Sequence, residues 1–144
     1  MKKTLIMSSL AVPMFFAVVN THASIGLQSS EFAQAGMASY YHDRFHGQRT
    51  ASGATYDKNR LSAAHKTLPL GTQVRVTDAG SGESVVVHIN DRGPFSRGRV
   101  IDLSRAAARE IGLTHKGVAK VKLEVLSRFQ IFALNGPLTL NQLF

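Results

Sequence analysis

The chain has 144 residues, with 17 Lys and Arg against 9 Asp and Glu, a net charge of +8, and no cysteine. That length holds one domain of ordinary size and not two. The lack of cysteine excludes a fold pinned by disulfides and a thiol for lipid attachment behind a leader, so an unlipidated protein is expected.

Met1-Lys2-Lys3 is a short positive region. Leu5 to Val19 is an apolar run broken by Ser8, Ser9 and Pro13, and Thr21-His22-Ala23 sets small residues at −3 and −1 of a cut before Ser24. This three-part layout predicts a secretory signal peptide over residues 1–23. A membrane anchor is the alternative, but the run is shorter than the roughly 20 residues of a spanning helix. Losing the leader removes Lys2 and Lys3 and leaves 15 basic residues against 9 acidic, a charge of +6. A basic exported protein suits an anionic bacterial envelope, and the export signal argues against nucleic acid.

Residues 24–35 carry few strand signals and read as an N-terminal arm. Gly36 to Tyr41 reads as a first strand, because tyrosines favour extended backbone. Asp43 to Asn59 is polar and contains glycine, the composition of a long loop. Leu61 to Ala64 is a short candidate strand, followed by a connector punctuated by Pro69 and Gly71. Gln73 to Thr77 alternates polar and apolar, the period of a half-buried strand. Asp78 to Gly82 supplies a reversal. Ser84 to Asn90 is β-branched and apolar, and reads as a more deeply buried strand. Asn90 to Gly98 is a loop, and Val100-Ile101 a short strand. Ser104 is suited to cap a helix through Glu110, with Gly112 at its stop. Ala119 to Leu126 alternates again. The tail, 127–144, shows no clear period. Short strands, one short helix and frequent turns over residues 36–126 point to a small barrel.

Among the acids, Asp78 and Glu83 flank a turn, and Glu110 and Glu124 fall on expected outer faces, so all four read as solvated charge. Asp91 and Asp102 each follow a hydrophobic strand and enter a loop, where a scaffold can aim a side chain into a groove. The competing reading is an Asp–Arg pair or an Asx-turn. His42 and His46 stand four apart, a metal spacing only on a helix, and Gly47 argues against one, so no metal is expected. His65 ends a small-residue strand and reads equally as a solvent-facing or a core-satisfied histidine. Neither Ser52 nor Ser62 has the context of an activated nucleophile.

Gly36-Met-Ala-Ser-Tyr-Tyr41, Phe45-His46-Gly47, Thr50-Ala-Ser-Gly53, Ala63-Ala-His65-Lys-Thr-Leu-Pro69, Asn90-Asp-Arg-Gly-Pro-Phe95 and Arg99-Val-Ile-Asp-Leu-Ser104 closely resemble the motifs of the RlpA-like (rare lipoprotein A) family, in order, over about residues 36–126. The resemblance implies a mostly β fold, a six-stranded double-psi β-barrel with one or two short helices, shared more distantly with expansins. It implies a periplasmic or secreted lytic transglycosylase. Such an enzyme cleaves the MurNAc–GlcNAc bond of peptidoglycan glycan strands without water and leaves a 1,6-anhydromuramoyl end. No cofactor is implied, and the protein is expected to be a monomer without a stable membrane anchor.

Carried over by motif, Asp91, Asp102 and His65 are the catalytic candidates. Tyr41, Phe45, Thr50, Ser52, Asn90, Arg92 and Phe95 are the substrate-binding ones. Three departures stand out. Where active relatives commonly carry Glu, this chain has Ala54. The lipid-attachment cysteine is absent, and the 18 residues after Leu126 leave no room for the SPOR domain of longer members. Ala54 keeps a second reading open, that of a non-catalytic, expansin-like wall-binding module.

Overall fold

The computed structural model describes residues 32–136. The expected leader and most of the expected arm lie outside them. Six strands form the domain: β1 (Ala33–Tyr40), β2 (Ser62–His65), β3 (Gln73–Asp78), β4 (Ser84–Asp91), β5 (Arg99–Leu103) and β6 (Ala119–Val125). They close into a barrel in the order β1-β5-β2-β4-β3-β6. The β1–β5 and β2–β4 pairs are parallel, and the other four neighbours are antiparallel. Closure removes every free sheet edge, which a small antiparallel domain must otherwise protect.

Inward positions recur with period 2, so Val74 and Val76 on β3, Val87 and Ile89 on β4, and Val121 and Leu123 on β6 fill the interior. Ile101 and Leu103 of β5 complete it. The deeper burial expected for β4 is not found. Val85, Val87 and Ile89 are buried, whereas Val86 is only half-buried and His88 is exposed, because a barrel wall has a single inner face. β2 is the strand buried throughout. β1 begins at Ala33, three residues before the expected start. Gly36 belongs there for steric reasons: a Cβ at this position would collide with the Val100 side chain of β5.

Ser104 caps the helix α1 (Arg105–Glu110), its hydroxyl accepting from the Ala107 amide at 3.2 Å. The same hydroxyl accepts from the Ser62 amide at 3.3 Å and so ties the helix start to β2. Gly112 ends α1 as expected, with φ 67°, but the chain then winds a second short helix, α2 (Leu113–Lys116). The tail, read as aperiodic, opens with a third helix, α3 (Arg128–Asn135). Its start carries a capping box in which the Ser127 hydroxyl accepts from the Gln130 amide and the Gln130 side chain accepts from the Ser127 amide.

The reading of Asp78 as solvated charge is corrected by its burial, with 1 % exposure. Its Oδ1 accepts from the amides of Gly80 and Ser81 at 2.8 and 2.9 Å, and its Oδ2 accepts from Lys116 Nζ at 2.8 Å. The residue thus fastens the β3–β4 turn to α2.

Candidate active site

Strand register sets the two carboxylates. Ala64 of β2 pairs with Asp91 of β4 on one side and with Asp102 of β5 on the other. Paired residues point to the same face, so both carboxylates rise from that face with the Ala64 methyl between them. Two strand spacings put their backbones roughly 10 Å apart. Both line one cleft of about 580 Å³, walled by the end of β1, the long 43–59 loop and the β4–β5 connection.

Asp91 is held at three points. Its Oδ2 accepts from the Tyr41 hydroxyl at 2.7 Å, and its Oδ1 accepts from the amides of Ala51 and Arg92, each at 2.8 Å. Asp102 is held by β1: its Oδ1 accepts from Ser39 Oγ at 2.6 Å, and Arg99 Nη1 stands 3.5 Å away. Arg99 also donates to Ser39 Oγ, which links serine, arginine and carboxylate into one group. Burial, reinforced by the bond to Asp91, pushes the Tyr41 hydroxyl well above the ordinary phenol range, so it remains a protonated donor. The Tyr41 ring packs on Tyr56 at 4.7 Å and edge-on to Phe45 at 5.8 Å, and the Arg44 guanidinium lies 5.0 Å over Phe45. The cleft is basic on balance, with Arg44, Arg49, Arg92 and Arg99 against the two aspartates.

The His65 ring is not among the groups lining this cleft. It follows Ala64 by one residue, and alternation turns it to the opposite face. It is 3 % exposed, with Nδ1 accepting from the amides of Thr67 and Leu68 at 3.2 and 3.0 Å. That assigns the proton to Nε2, which donates to Gln34 Oε1 at 2.9 Å. Burial lowers the His65 pKa, and the charges of Arg92 and Lys66 lower it further, so the ring is neutral at pH 7. What His65 offers the cleft is its carbonyl, which accepts from Arg92 Nη1 at 3.2 Å alongside Leu68 O at 2.9 Å.

Of the residues expected to contact substrate, Tyr41, Phe45, Thr50, Arg92 and Phe95 line the cleft. Phe95 stands on its rim with 91 % exposure, an uncovered aromatic face. Ser52 and Asn90 do not line it. The Ser52 hydroxyl is bonded to Thr50 Oγ1 at 2.9 Å and its amide donates to Asn90 O at 3.1 Å, while the Asn90 side chain faces a neighbouring cleft. Sequence reasoning missed Ser39, Tyr56 and Arg99. The signal for Ser39 was present: it lies two residues before Tyr41 in the strand expected over Gly36 to Tyr41, hence on the same face.

The family profile described as Lytic transglycolase matches residues 33–123. The endolytic peptidoglycan transglycosylase RlpA of Pasteurella multocida is 54% identical over 99 residues, covering 69% of this chain and 34% of its own length. That of Neisseria meningitidis serogroup A is 53% identical over 97 residues, covering 67% and 41%. The probable enzyme of the same name from Synechocystis is 47% identical over 116 residues, covering 81% and 36%. The chain therefore spans about a third to two fifths of the length of these curated relatives.

Among solved structures, apo expansin of Clavibacter michiganensis superposes with a TM-score of 0.56 at 18% identity, covering 67% of this chain and 52% of the expansin. Streptomyces papain inhibitor gives 0.55 at 23%, covering 68% and 97%. Both share the fold, and nothing more follows from identities this low. The profile match, the identities to RlpA proteins and the closed six-stranded barrel make this chain a member of the RlpA-like double-psi β-barrel family.

Proposed function

We propose that the protein is an exported lytic transglycosylase that cuts the MurNAc–GlcNAc bond of peptidoglycan glycan strands. The observation that carries this reading is the pair of anchored carboxylates, Asp91 and Asp102, on one face of the barrel and lining one cleft of about 580 Å³. Family membership supplies the substrate class.

A transglycosylase needs only one carboxyl group to move the proton, because its nucleophile is the C6 hydroxyl of the muramoyl sugar. The Asp91 carboxyl group protonates the leaving O4 of GlcNAc as the bond from C1 breaks. The C6 oxygen then bonds to C1, and its proton returns to the Asp91 carboxylate. No water is consumed, and the muramoyl end becomes a 1,6-anhydro ring. Asp102, fixed by Ser39 and Arg99, faces the positive charge that develops at C1. Tyr41 and the amides of Ala51 and Arg92 hold Asp91 in position. His65 acts as a positioning residue, through its carbonyl on Arg92. Phe95 offers a face on which a sugar ring can stack. The basic lining and the export signal both suit a protein working at the anionic wall.

Ala54 favours a second reading. At the position where active relatives commonly carry Glu, this chain brings only a methyl group, which leaves a wall-binding module without catalysis. Digestion of purified sacculi, with mass spectrometry of the products, separates the two. Anhydro ends support the transglycosylase, reducing ends indicate a hydrolase, and intact sacculi that retain protein indicate the binding module. In an active protein, Asp91→Asn should lower anhydro product by about 10²–10⁴-fold and leave the melting temperature within a few degrees. A folded Asp91→Asn variant that cuts at the wild-type rate removes Asp91 from the chemistry.

A further inference from the structure

Asn90 and Asp91 end β4, where the pairing with β2 steps from Ala63–Ile89 to Ala64–Asp91 and leaves Asn90 as the extra residue. Asp91 lines the cleft already described, whereas Asn90 lines a second one of about 400 Å³, within the size range of small-molecule sites. The bend at residues 50–55 and the end of β4 lie between the two. Thr50 lines the first cleft, and Ala54 and Thr55 line the second. The bend is pinned to β4 by the bond from the Ser52 amide to Asn90 O at 3.1 Å. At its crest Gly53 takes φ +85° and carries no side chain, and no atom lies within 4 Å of where its Cβ would stand, so the space above the bend is open.

The chemistry of the second cleft differs from that of the first. Asp57 gives one oxygen to its own turn, its Oδ1 accepting from the Asn59 amide at 2.9 Å, and its charge offsets that of Arg60 in the lining. Among the described residues, no hydrogen bond or ion pair engages the side chains of Arg60, His88 or Asn90, all of which face the cleft. Leu61 adds an apolar surface with 42 % exposure. Unengaged amide, imidazole and guanidinium groups around one apolar side chain suit an uncharged ring bearing hydroxyls, an amide and a methyl. An N-acetylhexosamine has those groups. The Ala54 methyl occupies little of this space.

We propose that this second cleft is a saccharide subsite, holding an N-acetylhexosamine of the same glycan strand that lies against Asp91, with the strand crossing the bend over Ser52-Gly53. The proposal rests on the reading of the first cleft as a glycan site, but not on any bond being cut.

The test is equilibrium binding of the purified protein to peptide-free GlcNAc–MurNAc disaccharide and tetrasaccharide, with backbone amide shifts recorded alongside. The tetrasaccharide is expected to bind at least about tenfold tighter than the disaccharide and to move the amides of Arg60, Leu61, His88 and Asn90 together with those around Asp91. Ala54→Trp, which fills the cleft, and the double change Arg60→Ala with His88→Ala should each erase about tenfold of that affinity. Both should keep the wild-type amide pattern elsewhere, since these positions line an open surface cleft. Equal affinity for the two sugars overturns the proposal, as do shifts confined to the first cleft or variants that bind like wild type. Sacculus digestion is read separately. Absence of anhydro product with binding across both clefts sinks the transglycosylase and leaves this subsite standing, and product formation with binding in one cleft does the reverse.

Discussion

Protonating Asp78 is expected to weaken the barrel by an amount that acid titration can resolve. In the folded protein the Lys116 ammonium and the amides of Ser81 and Gly80 hold its pKa down to about 2, from an ordinary 3.8, against a burial that pushes the other way. As pH falls, the unfolded chain therefore takes up this proton first. The stabilisation is complete above the ordinary carboxylate range and is lost as pH falls through about 2. At about 1.36 kcal/mol per pH unit the difference is worth roughly 2.5 kcal/mol. Lys116 is 44% exposed, and solvent screening brings the figure nearer to 1–2 kcal/mol. Urea unfolding at pH 7, 4 and 2.5 would be compared for wild type, Asp78→Asn and Lys116→Met. Asn keeps an oxygen for the two turn amides but loses the titrating charge, so its stability should fall less between pH 4 and 2.5 than that of wild type. Parallel pH dependences in wild type and Asp78→Asn would refute the reasoning.

Gly36→Ala should push a methyl into the Val100 side chain and cost about 1–3 kcal/mol, seen as a lower melting temperature that Val100→Ala partly restores. Tyr41→Phe keeps the ring packing against Phe45 and Tyr56 but removes the donor to Asp91. Anhydro product should fall about five- to tenfold with the fold intact, and an unchanged rate would show that this bond does not position the carboxylate. Sacculus binding should weaken between low and half-molar salt, because screening shortens from about 10 Å at 0.1 M to about 3 Å at 1 M. Salt-independent binding would exclude a role for the basic cleft.

The strands that alternate, β3 and β6, were legible because one polar residue between each pair of apolar ones admits no other period. β4 misled through Val86, since a β-branched outer residue looks like core when only composition is read. The α3 start was encoded as Ser127 followed three residues later by Gln130, a capping box hidden by the lack of periodicity behind it. The carboxylate pair was visible as two acids at strand ends, but their meeting over Ala64 depends on a parallel β2–β4 pairing that no local pattern encodes. His65 shows the same limit in reverse. Its motif placed it with the aspartates, and a single step along β2 turned its ring to the other side of the wall.

Because Asp91 and Asp102 are each one ladder step from Ala64, their separation is a property of main-chain pairing. The loops at 43–59 and 92–98 wall the same cleft and act on that distance only through the Ala51 and Arg92 amides that orient the Asp91 carboxylate. Such an arrangement divides labour between parts of the chain that can change and a part that cannot. Insertions or exchanges in the loops that keep those two amides can reshape which polymer is gripped while the backbone spacing of the carboxylates stays fixed. A bulkier residue in place of Ala64 would instead wedge the carboxylates apart, whatever the loops do. For anyone redirecting this barrel toward another polysaccharide, the loops are the place to diversify and the middle of β2 is the place to leave alone.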